Sequence, residues 1–191
     1  MSHATVDLQA VVDFAKNIVE GRDPDLAGHH SRSSRLTVGL AQRIGCTPNE
    51  TLSLEKASVL HDLGKLAINE HILNKPSRLT KAEFDLVKQH VVLGGELIKP
   101  LKVEPAIVQV ITMHHENFDG SGYPNGTRGE EIPICARLMR ITDSFDALTG
   151  SRPYSRPVSP KEALQILRKD ERFYDPSILK AFCELVDSQV S

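Results

Sequence analysis

The sequence predicts an all-α fold in a single domain of about seven or eight helices. Three observations carry that expectation. Apolar residues recur at spacings of three and four rather than two, three positions bear the hydroxyl-x-x-Glu signature of a capped helix start, and no pair of alternating segments is available for a hairpin. The 191 residues are enough for one domain to bury most of its apolar surface. A content of 40% hydrophobic and 25% charged residues is that of a globular protein rather than a disordered tail.

Taken in order, Leu8, Val11, Val12, Ala15, Ile18 and Val19 line one face of a first helix that Gly21 ends. The expected division is one domain over residues 1–191, with this helix in 1–22 and the core in 23–188. His29, in GHHSR, falls at the start of a second helix whose stripe is Leu36, Leu40 and Ile44. Thr47 and Glu50, with Pro48 at the first helical position, open a third whose apolar side is Leu52, Ala57, Leu60 and Leu63. Thr80 and Glu83 open a fourth carrying Phe84 and Val87, with His90 bordering that face. A fifth, from about residue 105, presents Ile107, Ile111 and His114; a sixth, from about residue 134, presents Leu138, Ile141, Phe145 and Leu148. Ser159 and Glu162 with Pro160, then Asp175-Pro176, start the last two. Residues 68–79 and 117–133 read as loops from their Pro and Gly content. The second is long enough that function is the usual reason for it.

A net charge of −2 and a pI near 6.4 give no broad basic field, which argues against a long nucleic-acid partner and leaves room for a small anionic ligand. Cys46, Cys135 and Cys183 are odd in number and lack C-x-x-C spacing, so reduced packing thiols in a cytoplasm are expected. The stretch MSHATVDLQAVVDF has no cationic leader, and no apolar run is long enough to cross a bilayer, so neither export nor membrane insertion is expected.

Each histidine alone has an ordinary explanation as a core or surface residue. Jointly, His29, His61, Asp62, His90, His114, His115 and Asp143 lie beside apolar faces on five segments, so packing those faces gathers five imidazoles and two carboxylates inside one core. A buried cluster of that size is tolerable chiefly if it holds metal. The ligand excess suits two six-coordinate ions sharing a carboxylate better than one tetrahedral ion. Imidazole and carboxylate without thiolate fit Fe, Mn, Ni or Co as well as Zn.

HDLGK at 61–65 and HHENFDGSGYP at 114–124, with GHHSR at 28–32, KQH at 88–90 and DSFDALTGSRPY at 143–154, resemble the HD-GYP family from about residue 23 to about residue 185. The resemblance implies an HD-type helical bundle with a long GYP loop, and a phosphodiesterase that opens cyclic di-GMP to linear pGpG and on to GMP. It implies the seven ligands named above, with Asp62 bridging two divalent ions, Fe or Mn favoured. Asp25 stands where trinuclear members resemble one another in having Glu, which marks it as a candidate ligand for a third ion. Lys65 and Asp62 are the implied catalytic residues, and Lys65, Gly122, Tyr123, Asp146 and Arg152 the implied substrate contacts. Ser155 replaces a frequent Lys, removing one expected phosphate contact. A cyclic dinucleotide is the expected ligand, and a GGDEF-type or other signalling protein the expected partner at the GYP loop. The rival readings are an HD phosphohydrolase acting on another cyclic dinucleotide or a mononucleotide, and a nucleotide-binding or docking module without turnover.

Overall fold

The computed structural model describes residues 7–22, 24–150 and 156–190, which form ten α-helices and four short 3-10 turns and contain no strand. The helices are α1 (Leu8–Arg22), α2 (Pro24–Arg43), α3 (Pro48–Leu60), α4 (Glu70–Leu73), α5 (Lys81–Lys88), α6 (His90–Ile98), α7 (Pro105–Met113), α8 (Ile134–Thr149), α9 (Pro160–Lys169) and α10 (Pro176–Val190). All three expected capping boxes form. Thr47, Thr80 and Ser159 each accept from the backbone N–H three residues on, while Glu50, Glu83 and Glu162 reach back to the cap's own N–H. Ten helices replace the seven or eight expected for two local reasons. Residues 70–73 make a single turn capped by the Asn69 side chain inside a segment read as loop. The segment after Thr80 breaks at Gln89, so His90 heads a new helix rather than closing the old one. α2 also begins at Pro24, which puts His29 in its second turn instead of at its start.

The core is laid down by α2, α3, α7 and α8, with α10 closing one side. Leu40, Leu60, Ile107, Ile111, Leu138 and Ile141 are wholly buried. Side chains of that size each contribute roughly 1.5–3 kcal/mol when taken fully out of water. Phe145 of α8 meets Phe182 of α10 edge to face at 5.1 Å. Three expected stripe residues point outward: Leu52 and Phe84 are each 49% exposed and Ile18 39%, and Leu54 takes the buried place on α3. Where α2 and α8 touch, the Thr37 hydroxyl donates to the Ser33 carbonyl (2.8 Å) and pairs with the Thr142 hydroxyl (2.6 Å), so the buried polar groups at that seam are satisfied. The three cysteines are free. Among the described residues, no helix is long and apolar enough to cross a membrane.

α10 is tied to α8 at its start. Asp175 accepts from the N–H groups of Ser177 (2.9 Å) and Ile178 (3.2 Å) through one oxygen and from Arg137 (2.5 Å) through the other.

Candidate metal centre

Helix ends deliver most of the site. His61 caps the C-terminus of α3 and Asp62 follows at the head of the 3-10 turn Leu63–Ala67. His90 is the first residue of α6, and His114 the C-cap of α7 with His115 next. His29 and Asp143 come from within α2 and α8. Gly64 brings the His61–Asp62 turn against α6: a Cβ there would lie 1.9 Å from the His90 carbonyl oxygen, so only glycine permits the approach.

The rings are oriented from behind. Nδ1–H of His61 donates to the Ser58 carbonyl (2.8 Å), that of His90 to Val87 (2.8 Å), and that of His114 to Val110 (3.0 Å) and Ile111 (3.1 Å). Nδ1–H of His29 donates to the Asp146 carboxylate at 2.6 Å. A carbonyl can only accept, so the proton is on Nδ1 and the Nε2 lone pair points inward, which is how metal-binding imidazoles are held.

Those lone pairs fall into two groups. In the first, His29 Nε2 lies 3.4 Å from His61 Nε2, 3.3 Å from Asp143 Oδ1 and 4.0 Å from Asp62 Oδ2, while His61 Nε2 lies 3.4 Å from Asp62 Oδ2 and 3.9 Å from Asp143 Oδ1. Donors at about 2.1 Å on a six-coordinate ion stand about 3.0 Å apart when adjacent and 4.2 Å when opposite. All five distances fall inside that range. In the second group, His90 Nε2 is 3.4 Å from His114 Nε2 and 3.4 Å from Asp62 Oδ1, and His115 offers a nitrogen within 4.8 Å of the other two imidazoles. Asp62 thus turns one oxygen to each group. Its Oδ1 is buried with no hydrogen-bond partner among the described residues, a costly state for a carboxylate that a cation would relieve. The donor set therefore fits two divalent ions.

Charge states agree with that use. Burial depresses the imidazoles of His90 and His114 to about 4, and those of His61 and His115 also fall, so each is neutral at pH 7. Burial alone would raise the Asp62 carboxyl; the Lys65 ammonium, whose Nζ donates to Oδ2 at 2.6 Å, leads the groups that hold it well below the usual range. Asp143 is likewise pulled below its usual range by the imidazoles around it, against the effect of burial.

The GYP loop folds over the second group. Tyr123 stacks on His115 at 4.8 Å and 26°, and its N–H donates to the His115 carbonyl at 3.2 Å. Gly122 lies against backbone, where a Cβ would come within 2.3 Å of the Asn117 nitrogen and 2.5 Å of the His115 oxygen. Glu116 is buried and anchors the far side of the loop by accepting from the Asn125 N–H at 2.8 Å. Arg140 of α8 donates to Asn117 at 2.9 Å.

Seven expected ligands therefore converge, together with Lys65 and Tyr123. Arg152 and the side chain of Asp25 lie outside the described residues. Two expected substrate contacts have structural partners of their own. Asp146 is only 1% exposed, with both oxygens taken by His29 and by Arg32 (2.6 and 3.1 Å); it orients a ring from behind instead of facing a cleft. Gly122 serves the close approach of two backbone segments. Sequence reasoning passed over His30, which is 1% exposed and carries no partner on either ring nitrogen among the described residues. The signal was present: His29-His30 is a second adjacent pair, like His114-His115.

A helical bundle that aims buried imidazoles and carboxylates at two adjacent points defines a class, the α-helical domain that can hold a divalent metal pair. The profile of the family described as HD domain matches residues 13–178. A probable cyclic di-GMP phosphodiesterase of Vibrio cholerae serotype O1 is 37% identical over 197 residues, covering 94% of this chain and 44% of that protein. A 3'3'-cGAMP-specific phosphodiesterase 3 of the same organism is 32% identical over 163 residues, covering 85% of this chain and 35% of that protein. The solved structure of the HDG"Y"P protein Bd1817 from Bdellovibrio bacteriovorus superposes with a TM-score of 0.73 at 21% identity, over 98% of this chain and 65% of that one, and shares its fold. The chain belongs to the HD domain family. It spans less than half the length of these two curated relatives.

Proposed function

We propose that this chain is a metal-dependent phosphodiesterase that hydrolyses cyclic di-GMP to linear pGpG, and more slowly to GMP, in a bacterial cytoplasm. The observation that carries the reading is Asp62, whose two oxygens face two separate sets of imidazoles. His29, His61, Asp62 and Asp143 would hold one ion, and His90, His114, His115 and Asp62 the other. Fe(II) or Mn(II) suits such six-coordinate nitrogen and oxygen donors better than Zn(II), which prefers four. Divalent ions bound there supply an activated water and positive charge against the phosphoryl oxygens.

The chain's own groups do the rest. Lys65 is 26% exposed at the rim, where its ammonium can leave Asp62 for an incoming phosphate. Tyr123, stacked on His115 and with the Lys88 ammonium 5.8 Å from its ring centroid, would give a guanine its stacking surface. Arg152 serves the second phosphate in this reading. The cyclic di-GMP phosphodiesterase among the relatives supports the substrate, and the cGAMP-specific relative favours one alternative, the mixed cyclic dinucleotide. The test is anaerobic purification, metal analysis, and incubation with cyclic di-GMP, cGAMP, pGpG and dGTP under Fe(II), Mn(II) and Zn(II) in turn. Conversion of cyclic di-GMP to pGpG, fastest with Fe(II) or Mn(II), is expected. Turnover of dGTP alone would assign a mononucleotide phosphohydrolase, and bound metal without any turnover a docking module.

A further inference from the structure

The first ligand group has a neighbour that the proposed function does not use. His30 follows His29 on α2 and is as buried as the ligands themselves. Its ring centroid is 5.5 Å from that of His29 and 5.3 Å from that of His61, and one of its nitrogens falls within 4.8 Å of ligand atoms of His29, His61 and Asp62 together. Every ligand ring of that group has its Nδ1 bonded; neither nitrogen of His30 is bonded to any described residue. An imidazole must carry at least one N–H, and leaving it buried without an acceptor costs about 1–3 kcal/mol. A site that needed only volume would be better filled by Leu or Phe.

We propose that His30 is a further ligand of the ion held by His29, His61, Asp62 and Asp143. This rests on the metal-centre reading above. It makes the pair unequal: five protein donors serve the first ion and four the second. With fewer protein donors at the second ion, exchangeable water and substrate oxygens would be taken up on the side of His90, His114 and His115, beneath Tyr123. The rival explanation is a water: the ring also borders a cavity of about 400 Å³ shared with Asp13, Arg35, Glu55 and Lys56, from which a solvent molecule could reach it.

The experiment is metal binding rather than turnover. His30→Phe keeps the volume and removes the donors; His30→Ala removes both. Each is loaded with Mn(II) and titrated with a competing chelator, with His61→Ala alongside. The expected result is loss of affinity for one of the two ions by about tenfold or more in both His30 variants, the scale on which even groups behind the ligands act, with the other ion unchanged. Affinities within twofold of the parent for both ions would overturn the proposal. If His61→Ala also kept both ions, the metal-centre reading itself would fall, which separates the two failures. Should neither His30 variant fold, the unaltered protein loaded with Co(II) decides. Six histidine rings with contact-shifted resonances, which require a bond to Co(II) rather than nearness to it, support the proposal, namely those of His29, His30, His61, His90, His114 and His115, and five refute it.

Discussion

Replacing Gly64 with Ala should pull the two ligand groups apart. The new Cβ would lie 1.9 Å from the His90 carbonyl oxygen and 2.6 Å from the Gly94 nitrogen, both backbone atoms that cannot rotate aside. Real Cβ atoms stop near 3.0 Å, so the 3-10 turn and α6 must separate by at least about 1 Å. Asp62 Oδ1 and His90 Nε2, now 3.4 Å apart, would stand about 4.4 Å apart, beyond the roughly 4.2 Å that two donors on one six-coordinate ion can span. The second ion then loses its carboxylate, while the first keeps its own ligands. Overpacking at this severity costs about 2–3 kcal/mol. In a domain of this size that lowers the melting temperature by roughly 4–12 °C, measured in chelator so that metal does not contribute. Metal analysis after gel filtration should show close to one ion per chain, with turnover lost. A full pair of ions at parental affinity, with an unchanged melting temperature, would refute the claim that this glycine sets the spacing of the centre.

Asp62→Ala should remove turnover and deplete both ions, because each loses the shared anion; normal metal content would show that Asp62 is no bridge. Lys65→Ala should keep its metal and lose kcat, and a variant that lost metal instead would place Lys65 in support of Asp62. Tyr123→Ala should weaken cyclic di-GMP binding by about 1–3 kcal/mol, read by calorimetry; a loss of thermal stability at unchanged affinity would mean that the ring only packs the loop. Asp175→Ala should destabilise the fold by about 2–4 kcal/mol in urea, since it uncaps α10 and strands Arg137. Burial works against the Asp175 carboxyl, but Ser177, the Ile178 N–H and Arg137 hold it below its usual value. Its contribution should therefore be complete above the ordinary carboxyl range and disappear as pH falls through the lowered one, so parent and variant should converge in acid. Parallel stability curves down to low pH would contradict this.

Much of the fold was legible because it is written locally. Thr47, Thr80 and Ser159 announce their helices within four residues, and the seven proposed ligands could be gathered by asking which histidines and aspartates border apolar faces. Other features depend on contacts that local pattern does not carry. Nothing in VKQHVV signals a helix break, since no Gly or Pro marks it; the break at Gln89 is seen only in the folded chain. Leu52 and Phe84 obey the helical period yet face outward, because periodicity defines a face without saying what covers it. Asp146 sits one turn from Asp143 and reads as a companion at the cleft, whereas its partner His29 lies 117 residues away in sequence. His30 is hidden by its neighbour: on an ideal helix adjacent residues point about 100° apart, so a His-His pair inside α2, unlike the pair at the end of α7, does not by its spacing bring both rings to one site.

The double attachment of Tyr123 to His115, ring on ring and N–H on carbonyl, makes the loop and the second ligand group one mechanical unit. Two equilibria that share a unit are coupled, and the coupling is reciprocal. A nucleobase that settles better on Tyr123 when His115 is ligated must raise, by the same factor, the grip of His115 on its ion. Metal would then leave most slowly while the cleft is filled and most readily after product departs. The availability of the ion in the surrounding solution would thereby become an input to how long the proposed hydrolase stays active between substrates.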